Sequence, residues 1–506
     1  MKTGLNNLPA MITVSAARRA GLVASVFVLL STAGCAGDAV ADRTDDGRLR
    51  VVMLLPPRSG LSPFSDDAFK LSRLGIAETL VNLDEGGAPQ PGLATAWSQV
   101  DGTTWRFTLR EAVRFHDGTT LDAARVVDVL RRAGAARPKP RILDGVELSA
   151  EAENGAVVVR TAAPDPLLPQ RLSSPQLSIL AAAAYQADAV NPLRAGTGPF
   201  VLTRLDGTQG AKLDRYAEYW GGQAASTGID VSFVPDGTAR TAALRTGTAD
   251  IVEAVPASQL AVLDKQLYRT VSMPRTNTIY LNSRKGPFAD PAVRAAARAA
   301  VQRDPLVSGV YEGNADAARG LLGPALPWAA QRPARTERPA GPAAGKKIVL
   351  ATFSDRPELP EVAATVAQQL EAVGFVVEQV VREYAHIEAD ALAGQFDAFI
   401  LSRATTLDSG DPVAYLASDF TCEGGFNIAQ LCDPAVDQAI RAASVEGDLS
   451  KRRALILAAE KAVLETDAAV PMLHERVAQG NAPGVVDALF DPRERLLVGL
   501  TTRRTE

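Results

Sequence analysis

Histidine and cysteine are scarce in this chain, which has three of each among its 506 residues. The histidines, His116, His386 and His474, lie far apart, and no two of them have the spacing of a metal site. Cys422 and Cys432 have no nearby histidine or second cysteine pair, so they would make a poor metal cage. The sequence therefore predicts neither a resident metal nor a cofactor.

Catalytic and nucleotide-binding motifs are also missing. The chain contains no Gly-x-Ser-x-Gly elbow, no His-Glu-x-x-His, no phosphate-binding loop and no Rossmann fingerprint. Its 58 acidic residues make carboxylate pairs common by chance, so such pairs indicate nothing. The net charge of -5 and the pI near 5.6 give no basic surface for nucleic acid. These absences argue against an exported hydrolase and against a nucleic-acid partner.

No hydrophobic run near the N-terminus is long enough to cross a membrane. Gly21 to Leu30 gives about ten apolar residues after two arginines, whereas a spanning helix needs about 20. Residues 1–35 are therefore predicted to be a signal peptide. The segment ends in Ser31-Thr32-Ala33-Gly34-Cys35, which resembles the bacterial lipobox, where the cysteine is lipidated. We then expect residues 36–47 to form a polar tether at the outer face of the plasma membrane. An ordinary secretory signal with an incidental Cys35 is the alternative.

Export would place the two remaining cysteines in an oxidising compartment. There, the simplest account of Cys422 and Cys432 is a disulfide that closes a short loop. Such a loop contributes about 2 to 3 kcal/mol by chain entropy.

The rest of the chain has the patterns of an α/β protein with two or more domains, since 506 residues exceed one core. Thr104–Val126 shows this most clearly. A strand is predicted at Thr104–Leu109, a second short strand at Val113–Phe115, and a helix after an N-cap at Asp122. The stretch therefore reads as two strands, a turn and a capped helix.

Several other segments have equally definite patterns. We expect helices over Leu71–Val81, from the N-cap Ser174 to about Gln186, over Pro360–Val373 and over Leu449–Glu465. Pro324–Lys347 is rich in proline and alanine without a period, which indicates a long surface loop.

Seven sequence motifs indicate a known family. They read "ETLVNLDEGGAPQPGLATAW" from Glu78, "WRFTLREAVRFHDGTTLDAARV" from Trp105, "GTGPF" from Gly196, "YAEYWGG" from Tyr216, "GTADIV" from Gly247, "IYLNSRKGPFADPAVRAAARAAVQRD" from Ile279 and "NIAQLCDPAVDQAI" from Asn427. In order and spacing they resemble the family 5 extracellular solute-binding proteins of ABC importers, and they cover nearly all of the mature chain.

This resemblance implies a two-lobe, type II periplasmic-binding-protein-like α/β fold with an extra subdomain. Lobe I would comprise residues 48–279 and 473–506, with an inserted subdomain at about 82–195, and lobe II residues 280–472. Two crossover strands, near Tyr280 and Met472, would form the hinge. Ligand contacts to both lobes would stabilise the closed state, which the transporter recognises.

The resemblance also suggests ligand contacts. Asp408 occupies the position of the aspartate that binds the α-amine in peptide-binding members, and a carboxylate offers a desolvated amine a charge-assisted hydrogen bond. The alternative is that Asp408 caps a turn before Ser409-Gly410. Arg403 and Asn427 are further candidates, although Asn427 is equally suited to anchoring the loop between the cysteines.

The ligand class stays open between two branches of the family. The expected function is that a monomer captures a peptide or peptide-like solute and delivers it to separate permease and ATPase subunits. Phe353–Ala363, "FSDRPELPEVA", resembles instead the branch that binds nickel or an opine-type metallophore. A receptor that keeps the fold without an importer is a third possibility.

Overall fold

The computed structural model describes residues 46–143, 145–186, 189–356, 358–406 and 409–505. The predicted signal peptide, Cys35 and most of the predicted tether lie outside these residues, and so does Asp408. The described chain begins at Asp46, whose backbone carbonyl accepts a hydrogen bond from the Thr227 hydroxyl (2.6 Å).

The first half of the described chain is rich in strands. Its elements are β1 Arg48–Met53, α1 Ala68–Arg73, β2 Val81–Leu83, β3 Pro89–Pro91, β4 Ala94–Asp101, β5 Thr104–Leu109, α2 Ala123–Ala135, β6 Leu148–Glu153, β7 Ala156–Thr161, α3 Leu168–Arg171, β8 Phe200–Asp206, β9 Gly210–Arg215, β10 Gly228–Phe233, α4 Gly237–Arg245, β11 Ile251–Val255 and α5 Ala257–Leu260.

The second half contains most of the longer helices. Its elements are β12 Tyr268–Leu281, α6 Pro291–Ala300, β13 Ala315–Ala317, β14 Lys347–Phe353, α7 Glu358–Ala372, β15 Val376–Arg382, α8 Glu388–Leu392, β16 Ala398–Ala404, α9 Val413–Phe420, α10 Pro434–Val445, α11 Leu449–Glu465, β17 Ala469–Asn481, β18 Val485–Val486 and β19 Arg503–Arg504.

One mixed sheet runs through the described residues in the order β15-β14-β16-β12-β17-β11-β1-β10-β9-β8, and β13 pairs with β17 beside this path. β14 is parallel to both β15 and β16, and β1 is parallel to both β10 and β11. Parallel neighbours need crossover connections, and α7 supplies one between β14 and β15. The α/β class predicted from the sequence is therefore confirmed.

Two long antiparallel strands, β12 and β17, join the two parts of the sheet. Tyr268–Ser272 pairs with Arg476–Gly480, and Thr276–Tyr280 pairs with Ala469–His474, with a register shift between the two blocks. β16 pairs with β12 only from Arg275 onward, whereas β11 pairs with β17 only from Ala478 onward. The shift therefore lies where the crossover strands change their outer neighbours.

Separate hydrophobic cores lie on the two sides of this shift. One core takes its residues from Ile279 to Leu473 and packs α6, α7, α9 and α11 around the β14-β15 side of the sheet. The other side has a core that takes Leu49 to Phe233 and Ile251, together with Leu497 and Val498, and a smaller core that includes Leu244, Val252 and Ala478. The chain thus has two lobes joined by β12 and β17, while the exact domain boundaries remain a prediction.

The Thr104–Val126 stretch forms part of a smaller antiparallel sheet with the order β4-β5-β7-β6. The Asp122 side chain caps α2 by accepting a hydrogen bond from the Arg125 amide (2.7 Å), as the sequence predicts. The short strand expected at Val113–Phe115 is only an isolated bridge between Arg114 and Thr120.

Two predicted helices are wrong in extent. Ser174 does cap a turn, but this turn ends at Leu177, because Ile179 is drawn into a bridge with Glu78. The helix expected at Leu71–Val81 ends at Arg73, and Gly75 then adopts a φ of +63° that turns the chain.

The other two long patterns fold as predicted. α7 has Glu358 and Glu361 in its first turn, where carboxylates favour the helix N-terminus. It ends before Gly374, and α11 has the predicted bounds. Within Pro324–Lys347 the structure adds a 3-10 turn, Pro327–Gln331, which buries Trp328. In the described part of the chain, no helix has the length and apolar character needed to cross a membrane.

Candidate functional site

A cluster of polar side chains lies at the register shift between the lobes. Glu475 on β17 is buried and accepts hydrogen bonds from the Ser402 hydroxyl (2.5 Å) and the Asn277 amide (3.2 Å). Its other oxygen accepts from Arg356 Nη1 (3.0 Å) and lies 3.9 Å from Arg275 Nε. The cluster around this carboxylate therefore combines side chains from β12, β16, β17 and the turn after β14.

Among the described side chains, two guanidinium groups, those of Arg275 and Arg356, lie within 4 Å of the single carboxylate of Glu475. Burial and the neighbouring Arg356 lower the pKa of Arg275, because both oppose a second cation. An anion bound here would relieve that repulsion and accept hydrogen bonds from guanidinium groups.

Arg403, a predicted ligand residue, lies beside this cluster at the end of β16. Its Nε and Nη2 donate to the two oxygens of the fully buried Asp419 (2.9 and 2.8 Å), and its guanidinium lies 4.1 Å above the Phe426 ring. Burial opposes the charged form, but the Asp419 carboxylate outweighs it and raises the pKa of Arg403. The guanidinium of Arg403 is therefore engaged mainly by side chains of lobe II.

The segment that follows β16 is fixed on both sides of Asp408. Before it, the Thr405 amide donates to the Pro274 carbonyl on β12 (2.7 Å). After it, Asp411 accepts from Arg452 Nε (2.7 Å) and Nη2 (3.3 Å), and Arg452 is only 1% exposed. This ion pair anchors the segment to α11.

Asn427, the third predicted ligand residue, belongs to the loop closed by a Cys422–Cys432 disulfide, which the structure contains. Its side chain donates to the carbonyls of Thr421 and Leu431 and accepts from the Leu431 amide. It also lines a surface cavity of about 920 Å³ on lobe II, away from the Glu475 cluster. Its ligand role stays a prediction.

The structure thus brings Arg403 close to the crossover strands and adds residues that sequence reasoning did not select. Sequence reasoning missed Arg275 and Glu475, because both crossover strands contain several other polar residues and nothing in the sequence distinguishes these two from them. Arg356 lies in the stretch that suggested the metallophore branch. Among the described residues, no group of three or more histidine, cysteine or acidic side chains has a metal-binding arrangement.

Comparisons with known proteins agree with this architecture. The family model for bacterial extracellular solute-binding proteins, family 5 Middle, matches residues 88–427, which is more than half of the chain. A probable di/tripeptide-binding protein 5 of Pseudomonas aeruginosa is 28% identical over 451 residues, covering 79% of this chain and 84% of that protein.

Solved structures give the same result for the fold. The nickel ABC transporter structure from Bacillus halodurans superposes with a TM-score of 0.78 at 25% identity, covering 90% of this chain and all of that one. The structure of HbpA2 from Haemophilus parasuis gives a TM-score of 0.80 at 20% identity, covering 91% and 100% of the two chains. Both matches cover nine tenths or more of this chain. The protein is therefore a member of the bacterial extracellular solute-binding proteins, family 5.

Proposed function

We propose that this protein is the substrate-binding subunit of an ABC importer and that its solute is a peptide or a peptide-like molecule. The observation that carries the proposal is the pair of guanidinium groups, Arg275 and Arg356, that share Glu475 between the lobes. A peptide offers its terminal carboxylate to these guanidinium groups. The similarity to a di/tripeptide-binding protein supports the same ligand class.

The proposed binding step is closure of two lobes around the solute. Lobe I comprises residues 48–279 and 473–506 with a subdomain at about 82–195, and lobe II comprises residues 280–472. Contacts from both lobes stabilise the closed form, which a permease and an ATPase subunit then use for uptake. The protein acts as a monomer, held outside the plasma membrane by a lipid on Cys35, and it is not an enzyme.

Asp408 is proposed to bind the α-amine of the solute, with Arg403 as a further contact, whereas Asn427 is the weaker candidate because its side chain is engaged within the disulfide loop. Asp408→Ala should weaken binding of the co-purifying solute at least about tenfold, because a buried amine loses its charged partner. Glu371→Ala, a change at an exposed carboxylate on α7, is the control. Isothermal titration calorimetry measures both, and an affinity equal to that of the wild type removes Asp408 from the site.

The deciding experiment for the proposal is to identify the natural solute. Residues 36–506 should be expressed without the lipid anchor, purified under native conditions and examined by native mass spectrometry with elemental analysis. A metal-free peptide mass is expected. Its release on denaturation would give the peptide length and sequence, and hydrolysis of the peptide by the purified protein would show an enzyme instead.

A nickel or opine-type metallophore complex is the second candidate. It is favoured by the similarity to the nickel ABC transporter structure and by the arginine-rich cluster, since an opine presents several carboxylates. Stoichiometric nickel, cobalt or zinc together with a small organic chelator in the same measurement would establish this candidate and reject the peptide.

A further inference from the structure

The tip of the β2–β3 hairpin, residues 84–88, extends from lobe I to lobe II. Its base belongs to lobe I, since Leu80 and Val81 lie in that core. Arg493, also in lobe I, donates to the backbone carbonyls of Asp84 (2.5 Å) and Glu85 (3.0 Å). The first two carbonyls of the tip are therefore held by the lobe that carries the hairpin.

The next carbonyl of the tip is held by the other lobe. Gly86 accepts hydrogen bonds from Arg453 Nη2 (2.8 Å) and from Trp328 Nε1 (3.3 Å). The Arg453 guanidinium also lies 5.7 Å from the centre of the Trp328 ring. Arg453 is on α11, and Trp328 is in the core of lobe II. One backbone carbonyl thus receives two donors across the lobe boundary.

Beside this contact the two lobes touch backbone to backbone. A Cβ placed on Gly87 would lie 2.6 Å from the Gly410 carbonyl oxygen, and one placed on Gly410 would lie 2.5 Å from Leu83 Cδ1. Both glycines have positive φ angles, +82° and +70°. Two residues without side chains therefore allow the hairpin to reach the segment that follows β16.

That segment leads directly to the ion pair between Asp411 and Arg452. Arg452 and Arg453 are consecutive on α11, so one helix turn holds both the segment after β16 and the hairpin tip. A movement that separates the tip from Arg453 also removes the support of Gly410 by Gly87.

We infer that Arg453 and Trp328 are positioning residues that hold the hairpin tip across the lobe boundary and thereby fix residues 409–411 beside the cleft. The inference rests on the proposed function for the meaning of the cleft, but its geometry involves no ligand. The contact would make retention of any solute depend on the hairpin as well as on the residues that touch the solute.

Hydrogen exchange followed by mass spectrometry tests this inference on the purified protein without added solute. Arg453→Gln should accelerate exchange in residues 84–88 and also in residues 409–411, by about tenfold, the loss expected for a hydrogen bond from a charged donor. Lys461→Gln is the matched control, because Lys461 is on the same helix and pairs only with Glu465 among the described residues. It should leave both segments unchanged.

A second pair of variants keeps the test decisive if Arg453→Gln fails to fold. Gly87→Ala places a methyl group against the Gly410 carbonyl and should accelerate exchange in residues 409–411. Gly118→Ala imposes a similar backbone strain, since Gly118 has a φ of +85°, but its Cβ would meet nothing within 4 Å. Exchange in residues 409–411 that matches the wild type in Arg453→Gln or, failing that, in Gly87→Ala overturns the inference. Failure to find a bound solute would overturn only the proposed function.

Discussion

One nitrogen of the Arg356 guanidinium is held by a hydrogen bond, while much of the side chain is exposed. A residue that contacts a solute is expected to have both properties. Arg356 Nη1 donates to Glu475, while 38% of the side chain remains accessible. Glu475 is already satisfied by Ser402 and Asn277 on its other oxygen. The carboxylate therefore orients the Arg356 guanidinium while part of the side chain stays accessible to a solute.

Arg356→Ala should weaken binding of the co-purifying solute at least about tenfold, because a desolvated carboxylate loses a charged donor. Arg356→Lys should lose less, since it keeps the charge but not the planar fork. Arg382→Ala serves as the control, because Arg382 on the neighbouring β15 has a similar exposure, 40%, and pairs with Asp390. An Arg356→Ala affinity no weaker than that of Arg382→Ala, measured by calorimetry, would contradict the role.

His474 makes the stability of the crossover strands depend on pH. It is 3% exposed, its Nδ1 lies 2.9 Å from the Thr276 hydroxyl, and burial together with nearby Arg332 lowers its pKa to about 4, although Asp316 opposes the shift. The unfolded chain, with an ordinary histidine pKa of about 6.5, binds a proton first as the pH falls. The stabilisation is therefore complete above about pH 6.5 and is lost as the pH falls toward 4.

This histidine should account for about 2 kcal/mol of the unfolding free energy lost between pH 8 and pH 5. Urea unfolding of the wild type and of His474→Gln at both pH values measures the difference. The variant should lose less stability over this interval. Equal losses in the two proteins would show that His474 does not contribute.

At the scale of elements, the sequence predicts segments whose partners are close in the chain. α11 has the predicted bounds, and α2 is capped by Asp122 as expected, because capping and helical periodicity depend on residues within a few positions. Ser174 shows where this reasoning ends, since its turn stops at a bridge with Glu78, almost a hundred residues away. Periodicity contains no information about such a partner.

The residues of the candidate site, too, were predictable only where the signal lies within a short stretch of the chain. Arg403 is identified from its position in a motif. The hydrogen-bond partners of Glu475, by contrast, are Ser402, Asn277 and Arg356, which all lie 73 or more residues away along the chain. Only the pairing of β12 with β16 and β17 brings these groups together. Glu475 is one of several polar residues in β17, so neither the residue nor its partners could be selected in advance.

The disulfide loop is an element whose contribution can be measured separately. A disulfide between Cys422 and Cys432 closes a short loop, and inside it the Asn427 side chain forms hydrogen bonds with the backbone of Leu431. Replacing both cysteines by serine should lower the unfolding free energy by about 2 to 3 kcal/mol, because the unfolded chain regains loop entropy. Urea unfolding measures this, and unchanged solute affinity in the same variant would confine the loop to a structural role.

At the scale of the whole molecule, the two cores predict how a solute affects unfolding. One core ends at Leu473 and the other takes its sheet residues from the far side of the register shift, and the lobes are joined by β12, β17 and the hairpin contact, among others. Lobes with separate cores can unfold in separate steps. A solute that bridges them must stabilise both.

Differential scanning calorimetry with the co-purifying solute tests this coupling. Solute at about 100 times its Kd should add about 2.7 kcal/mol to the stability of the native state, and both lobes should shift toward a single transition at higher temperature. Because the hairpin joins the lobes independently of the solute, Arg453→Gln should separate the two transitions in the solute-free protein, whereas Lys461→Gln should not. A solute that raises only the transition of lobe II would show that binding involves one lobe, and it would contradict closure of the two lobes around the solute.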